Sequence, residues 1–194
     1  IPAPDMGTNA QVMAWMRSRY EDIYHGVISP GIVTGKPVGF GGSHGRTQAT
    51  GFGVVFCAEE LLGNLKNKTI VIQGFGNVGS HAALLAHRKG AKVISLIDPY
   101  LFGGGGALFN SKGLDVERIF KNPRDFQGNM AAEDAMCAKC DILMPCVKES
   151  EINAGNMKKI QTKVIIEGAN GPLTPLAHNY LLEKKVIIAP DIMA

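Results

Sequence analysis

No run of the sequence is apolar for long enough to cross a bilayer: stretches such as Val186-Ile187-Ile188-Ala189 are strand-sized, far below the roughly 18 to 20 residues that a spanning helix needs. Charge of one sign is not gathered anywhere either. The formal net charge of +3 is spread along the chain, so neither nucleic acid nor a membrane is an expected partner, and a small molecule is. Cysteine is scarce, at four in 194 residues, with Cys146 ending the strand-like run at residues 141–146. That usage argues against a disulfide scaffold and for a reducing compartment, the cytoplasm or the mitochondrial matrix. Cys137 and Cys140 form a C-x-x-C, but neither a second pair nor a His pair completes a zinc set, so they read as packing thiols and no metal is expected. There is no secretory segment to give the Asn67-Lys68-Thr69 glycosylation pattern meaning, and no repeat at solenoid spacing. A first residue of Ile1 is what a processed protein or a fragment would have.

What the chain has in abundance is glycine, 24 residues, and an alternation of two hydrophobic periods. Residues 8–24 read as a helix, with Thr8 and Gln11 in a capping-box pattern and Val12, Trp15, Met16, Tyr20 and Ile23 recurring on one face. A Gly- and Pro-dense loop over residues 29–45 separates it from a second helix at 47–62. Thr69-Ile70-Val71-Ile72-Gln73 is β-branched and apolar, as a strand covered on both faces should be. It leads into a helix over residues 77–89 and a second strand at 92–98, a β-α-β unit. Helices at 114–121, 131–138 and 175–184 then alternate with strands at 142–145, 164–167 and 186–189. Parallel neighbours need helical crossovers, so the alternation predicts an α/β fold with a doubly wound, mostly parallel Rossmann-type sheet.

The first strand runs straight into Gly74-Phe75-Gly76-Asn77-Val78-Gly79 and the following helix, and Asp98 stands 19 residues after the last of these glycines. In that context G-x-G-x-x-G is a dinucleotide fingerprint. Gly74 makes the tight turn, Gly76 lets a pyrophosphate approach the backbone, and Gly79 lets helix and strand pack closely, while the helix N-terminus faces the phosphates. Asp98, at the tip of the second strand, can accept bonds from adenosine ribose hydroxyls. Lys36 follows Gly35 like a phosphate-loop lysine, but Pro37 occupies the place of the magnesium-binding Ser or Thr. A lone imidazole, His44, reads as structural.

Five stretches together resemble the glutamate dehydrogenases, within the glutamate/leucine/phenylalanine/valine group. These are Pro2-Ala3-Pro4-Asp5-Met6-Gly7-Thr8, Thr34-Gly35-Lys36-Pro37, the run from Gly41 to Gly51, the fingerprint with its preceding Gln73, and Glu167-Gly168-Ala169-Asn170-Gly171-Pro172. The resemblance implies reversible oxidative deamination of L-glutamate to 2-oxoglutarate and ammonium, with NAD, or alternatively NADP, as coenzyme. It implies that Asp5 is the catalytic proton carrier, that Arg46 and Thr50 lie beside the nicotinamide, that Asn77 lies on the phosphate side, and that Ala169 and Asn170 contact the nicotinamide ribose. Phe75 and Val78 belong to the same coenzyme-binding set. It further implies a homo-oligomer, a hexamer, with residues 1–45 as the end of a substrate domain plus hinge and 46–194 as a coenzyme domain incomplete at its end. The family's substrate-binding lysines precede the aspartate motif, so these residues alone are expected to bind coenzyme better than they turn over substrate. The competing readings are a non-catalytic dinucleotide-binding fragment or module, and a related branched-chain or aromatic amino-acid dehydrogenase. A short-chain dehydrogenase would need Tyr-x-x-x-Lys. Tyr180 and Lys184 have that offset, but as an ordinary exposed helical pair.

One departure stands out. Between Asp98 and Asn110 the family is usually several residues shorter and carries Ser where this chain has Pro99, and here Gly103 to Gly106 follow. The expectation is a flexible insertion or altered segment at the adenosine end of the cleft; the alternative is a backbone nest accepting a 2′-phosphate.

Overall fold

A computed structural model describes residues 1–5 and 7–194. The chain divides into two compact units, Ile1–Ala49 and Thr50–Ala194.

In the first unit the helix α1 spans Ala10–Ile23, and its cap is Asn9 rather than the expected Thr8. The Asn9 side chain accepts the N–H groups of Gln11 and Val12, whereas the Thr8 hydroxyl is taken by the preceding turn, accepting from Asp5 N–H and donating to Asp5 O. The helix buries Met13 and Ala14 and leaves Trp15, Met16 and Ile23 exposed. Among the described residues, the rest of the unit as far as Gly45 is irregular apart from a 3-10 turn at Val38–Phe40. Arg17 organises it by donating to Glu21 and to the Phe40 carbonyl. The Ser29 N–H and then Arg17 hold the Glu21 carboxyl below its ordinary range.

The boundary between the units falls inside α2, Arg46–Leu62. The second unit is built on seven strands: β1 (Thr69–Gln73), β2 (Lys92–Ile97), β3 (Gly106–Phe109), β4 (Met130–Ala131), β5 (Cys140–Pro145), β6 (Thr162–Ile166) and β7 (Ile187–Ala189). Their order is β4-β3-β2-β1-β5-β6-β7. β1, β2, β5, β6 and β7 pair in parallel, and β3 and β4 add an antiparallel edge. The helices are α3 (Asn77–Arg88), α4 (Pro99–Phe102), α5 (Val116–Lys121), α6 (Ala132–Met136) and α7 (Pro175–Glu183). This is the doubly wound α/β sheet that the alternation predicts.

Successive strand residues point to opposite faces, and two apolar layers result. Ile70 and Ile72 pack with Val54 and Val55 of α2 and with Ala82, Ala83 and Ala86 of α3. Val71 and Leu143 pack on the other face with α6 and α7. Three fully buried alanines let α3 lie close to the sheet, which brings its N-terminus to the tip of β1.

Residues 99–109 correct an expectation. They do not form a flexible insertion: Asp98 caps α4, and β3 then returns antiparallel to β2. The glycines are what this path requires. Gly103, Gly104 and Gly106 have φ of 54°, 52° and 84°, which side chains rarely tolerate, and a Cβ on Gly105 would lie 2.2 Å from the Met130 carbonyl oxygen.

Candidate functional site

In the second unit the parallel strands end along one edge, and the fingerprint, Asp98 and the loop at residues 168–171 all leave from it. Crevices at such an edge are where open α/β sheets take their ligands. The three fingerprint glycines serve different needs. Gly74 has φ 88°, and a Cβ on it would press on Val147 at 2.8 Å. A Cβ on Gly79 would fall 1.9 Å from the Gly74 carbonyl oxygen, so α3 can approach β1 only because Gly79 lacks one. Gly76 alone of the three would meet nothing within 4 Å. It is also the N-cap of α3 and supplies no side-chain cap, leaving first-turn N–H groups, including those of Asn77 and Val78, for an anion. Open space beside an uncapped twelve-residue helix is what a pyrophosphate needs.

Asp98 is more heavily engaged than its sequence position suggests. One carboxylate oxygen accepts the Phe75 N–H at 3.2 Å; the other accepts Tyr100 and Leu101 N–H at 3.2 and 3.1 Å. A carboxylate offers about four acceptor directions; with three taken, roughly one is left for a ribose hydroxyl. On the other side of β1, Gln73 is buried, and its amide donates to Glu151 at 2.7 Å. Its Oε1 has no hydrogen-bond partner among the described residues.

The loop carrying Ala169 and Asn170 is fixed by backbone bonds from Gly168 and Ala169 to Pro145 O and by Gly171 N–H donating to Asp191. Beneath it, Glu167 accepts the Asp191 N–H at 3.1 Å. Burial pushes the Glu167 carboxyl up, the Asp191 N–H opposes that, and the Asp191 charge adds to the rise. Burial also raises the thiols, Cys140 to about 11 and Cys146 to about 12. Both are therefore protonated packing groups at neutral pH. Among the described residues no three His, Cys, Asp or Glu side chains gather to hold a metal.

Asp5 and Arg46 belong to the first unit, and Thr50 opens the second, one turn after Arg46 on α2. The Asp5 segment is clamped to the Thr34-Gly35-Lys36-Pro37 loop: Thr34 N–H donates to Pro2 O at 2.9 Å, and Pro4 occupies the space a Gly35 Cβ would need. Lys36 is buried in the same loop with its ammonium on the Val33 carbonyl, 2.8 Å away. Met6 of the motif lies outside the described residues. The Asp98 cap and the Gln73 and Glu151 pair are the site features sequence reading missed. Asp followed by Pro is a helix-start signature that announces the cap; nothing in the sequence announces the pair.

The glutamate/leucine/phenylalanine/valine dehydrogenase family model matches residues 41–194. The whole chain is 42% identical to a glutamate dehydrogenase of Thermotoga maritima and covers 48% of it. It is 37% identical to the cryptic catabolic NAD-specific glutamate dehydrogenase GudB of Bacillus subtilis, covering 47%. The chain thus spans about half the length of these relatives. Among solved structures, the hetero-hexameric glutamate dehydrogenase of Thermus thermophilus superposes with a TM-score of 0.86 at 30% identity, over 98% of this chain and 46% of that one. The Peptoniphilus asaccharolyticus enzyme gives 0.74 at 33%, over 99% and 46%.

Proposed function

The chain belongs to the glutamate/leucine/phenylalanine/valine dehydrogenase family, and from that premise we propose that it carries the coenzyme-binding region and catalytic-aspartate segment of an NAD(P)-dependent glutamate dehydrogenase. One observation supports this most directly: the open face of Gly76 beside the uncapped N-terminus of α3, at the tip of β1. When bound there, a nicotinamide dinucleotide supplies the hydride acceptor for oxidative deamination of glutamate to 2-oxoglutarate and ammonium.

In this reading Gly74, Phe75, Gly76, Asn77, Val78 and Gly79 receive the pyrophosphate, and Asp98 takes the adenosine ribose. Ala169 and Asn170 take the nicotinamide ribose, and Arg46 and Thr50 the nicotinamide amide. Asp5 holds and passes protons as the amino group leaves and water is added, work for which a positioned carboxylate is suited. The contacts of Pro2 and Pro4 with the loop at residues 34–37 support that role by fixing the backbone that leads into Asp5.

NAD is the proposed coenzyme. The Asp98 charge opposes a 2′-phosphate, and the GudB relative is named NAD-specific. Four unpaired thiols are consistent with a reducing compartment such as the cytoplasm, and the hexameric Thermus neighbour supports an oligomer. Titration of the full-length protein with NADH and NADPH, followed by turnover of glutamate, leucine, phenylalanine and valine, tests the proposal. Tighter binding of NADH and selective turnover of glutamate are expected. Failure to bind either nucleotide would refute the coenzyme site, and binding without turnover would favour a non-catalytic dinucleotide module.

A further inference from the structure

Phe75, the residue between the first two fingerprint glycines, is held twice from the same direction. Its N–H donates to Asp98, the cap of α4. Its ring, 6% exposed, packs on Phe102, the last residue of α4, with centroids 5.6 Å apart and planes at 48°. Phe102 is itself 1% exposed, so neither ring has room to swing.

The far end of this contact is equally fixed. Gly128 N–H donates to Phe102 O at 2.8 Å, Asp98 N–H to Gly106 O at 2.9 Å, and Gly106 N–H to Gly103 O at 2.7 Å. The short helix is therefore a rigid link from the antiparallel edge of the sheet to the glycine turn. A four-residue helix has little stability of its own, and its order comes from these attachments.

We propose that α4 is a brace for the fingerprint turn, with Phe102 and Asp98 as positioning residues that hold Phe75, and through it Gly74 and Gly76, in the conformation that receives a dinucleotide pyrophosphate. This rests on the dinucleotide-binding reading above. It gives residues 99–106 a task distinct from choosing between coenzymes. A brace acts on the pyrophosphate turn shared by NADH and NADPH, so loosening it weakens both alike, whereas a group that reads the 2′-position moves them apart.

The test is Phe102→Leu in the full-length protein, with the milder Phe102→Met as a second variant should the first fold poorly. Loss of one aromatic pair predicts about fivefold weaker binding of NADH and of NADPH, so the ratio of their dissociation constants stays as in the wild type. In turnover, KM for coenzyme rises by the same factor and kcat at saturation is unchanged. Adding Phe102→Leu to Phe75→Leu should weaken binding no further, because the contact is already gone. Unchanged coenzyme affinity in a variant with a lowered melting temperature would reduce Phe102 to a packing residue, and opposite shifts for the two nucleotides would make the segment a selector; either result overturns the brace. A wild-type protein that binds neither nucleotide would instead refute the underlying site.

Discussion

At the scale of single residues, the glycines separate binding from folding. Gly79→Ala drives a methyl to within 1.9 Å of the Gly74 carbonyl oxygen, which forces α3 off the sheet. Overpacking of that kind costs about 1 to 3 kcal/mol or more. Gly76→Ala meets no atom within 4 Å and has an ordinary φ of −74°, so its stability should stay within about 1 kcal/mol of the wild type. The added methyl does, however, stand where the pyrophosphate must come. Melting curves and NADH titrations of the two variants should therefore split: Gly79→Ala loses stability, and Gly76→Ala loses affinity while melting normally. Gly105→Ala, aimed at the Met130 carbonyl, should behave like Gly79→Ala in the melt.

At the scale of elements, the sheet is clipped at the end opposite the fingerprint by Asp141. This β5 residue accepts both the N–H and the hydroxyl of Thr69 on β1, each at 2.9 Å, and receives Lys163 of β6 at 3.3 Å. Burial alone would raise its carboxyl; the Thr69 bonds and Lys163 outweigh that and hold it below the ordinary aspartate range. A depressed folded pKa gives stability that is present above the unfolded value and lost as pH falls through the folded one. Asp141→Asn should thus cost about 1 to 2 kcal/mol at pH 7, and denaturant melts of variant and wild type should draw together as the pH falls through the lowered pKa of the carboxyl.

Glu167 has the opposite sign. Its raised carboxyl contributes stability below the unfolded value that is lost as pH rises through the folded one. Glu167→Gln should equal the wild type in acid and melt higher at pH 8, since an amide oxygen still accepts the Asp191 N–H.

Legibility followed element length and local chemistry. β1, α3 and β2 were readable to within a residue because each carries a full period of its pattern and a clear stop, Gly74 after β1, Gly90 after α3 and Asp98-Pro99 after β2. β3 and β4, with four and two residues, are too short to show alternation, and pairing across the sheet, invisible in sequence, decides them. The glycine run looked flexible because nothing local says that Gly128 and Met130 pack against it. Of the site, the fingerprint was legible from its strand and helix context. Asp5, Arg46, Thr50 and the loop at 168–171 enter the proposed site only through resemblance, because nothing local in their sequence marks the roles assigned to them.

At the scale of the whole chain, the candidate coenzyme loops of the second unit are joined in series. Asp98 holds Phe75, and Gln73 at the end of β1 holds Glu151. Ser150 and Ile152 N–H donate to Gly171 and Pro172 carbonyls, and Gly171 and Glu167 both engage Asp191. A ligand that orders one member of such a series lowers the opening of the others, because local unfolding breaks bonds shared between neighbours. A ligand present at about 100 times its Kd adds about 2.7 kcal/mol against global unfolding, and here that gain should reach loops the coenzyme never touches. Hydrogen exchange with and without saturating NADH checks this. Slowing is expected at residues 74–79 and 168–171 by contact, and also at Glu151 and Ile152 and at residues 99–106. Glu151→Ala, which cuts the link to Gln73 but keeps the backbone bonds to Gly171 and Pro172, should reduce the slowing at 150–152 while leaving it at 99–106, since the two lie on opposite sides of β1 in the series. Slowing confined to the fingerprint in the wild type would mean that the loops open independently.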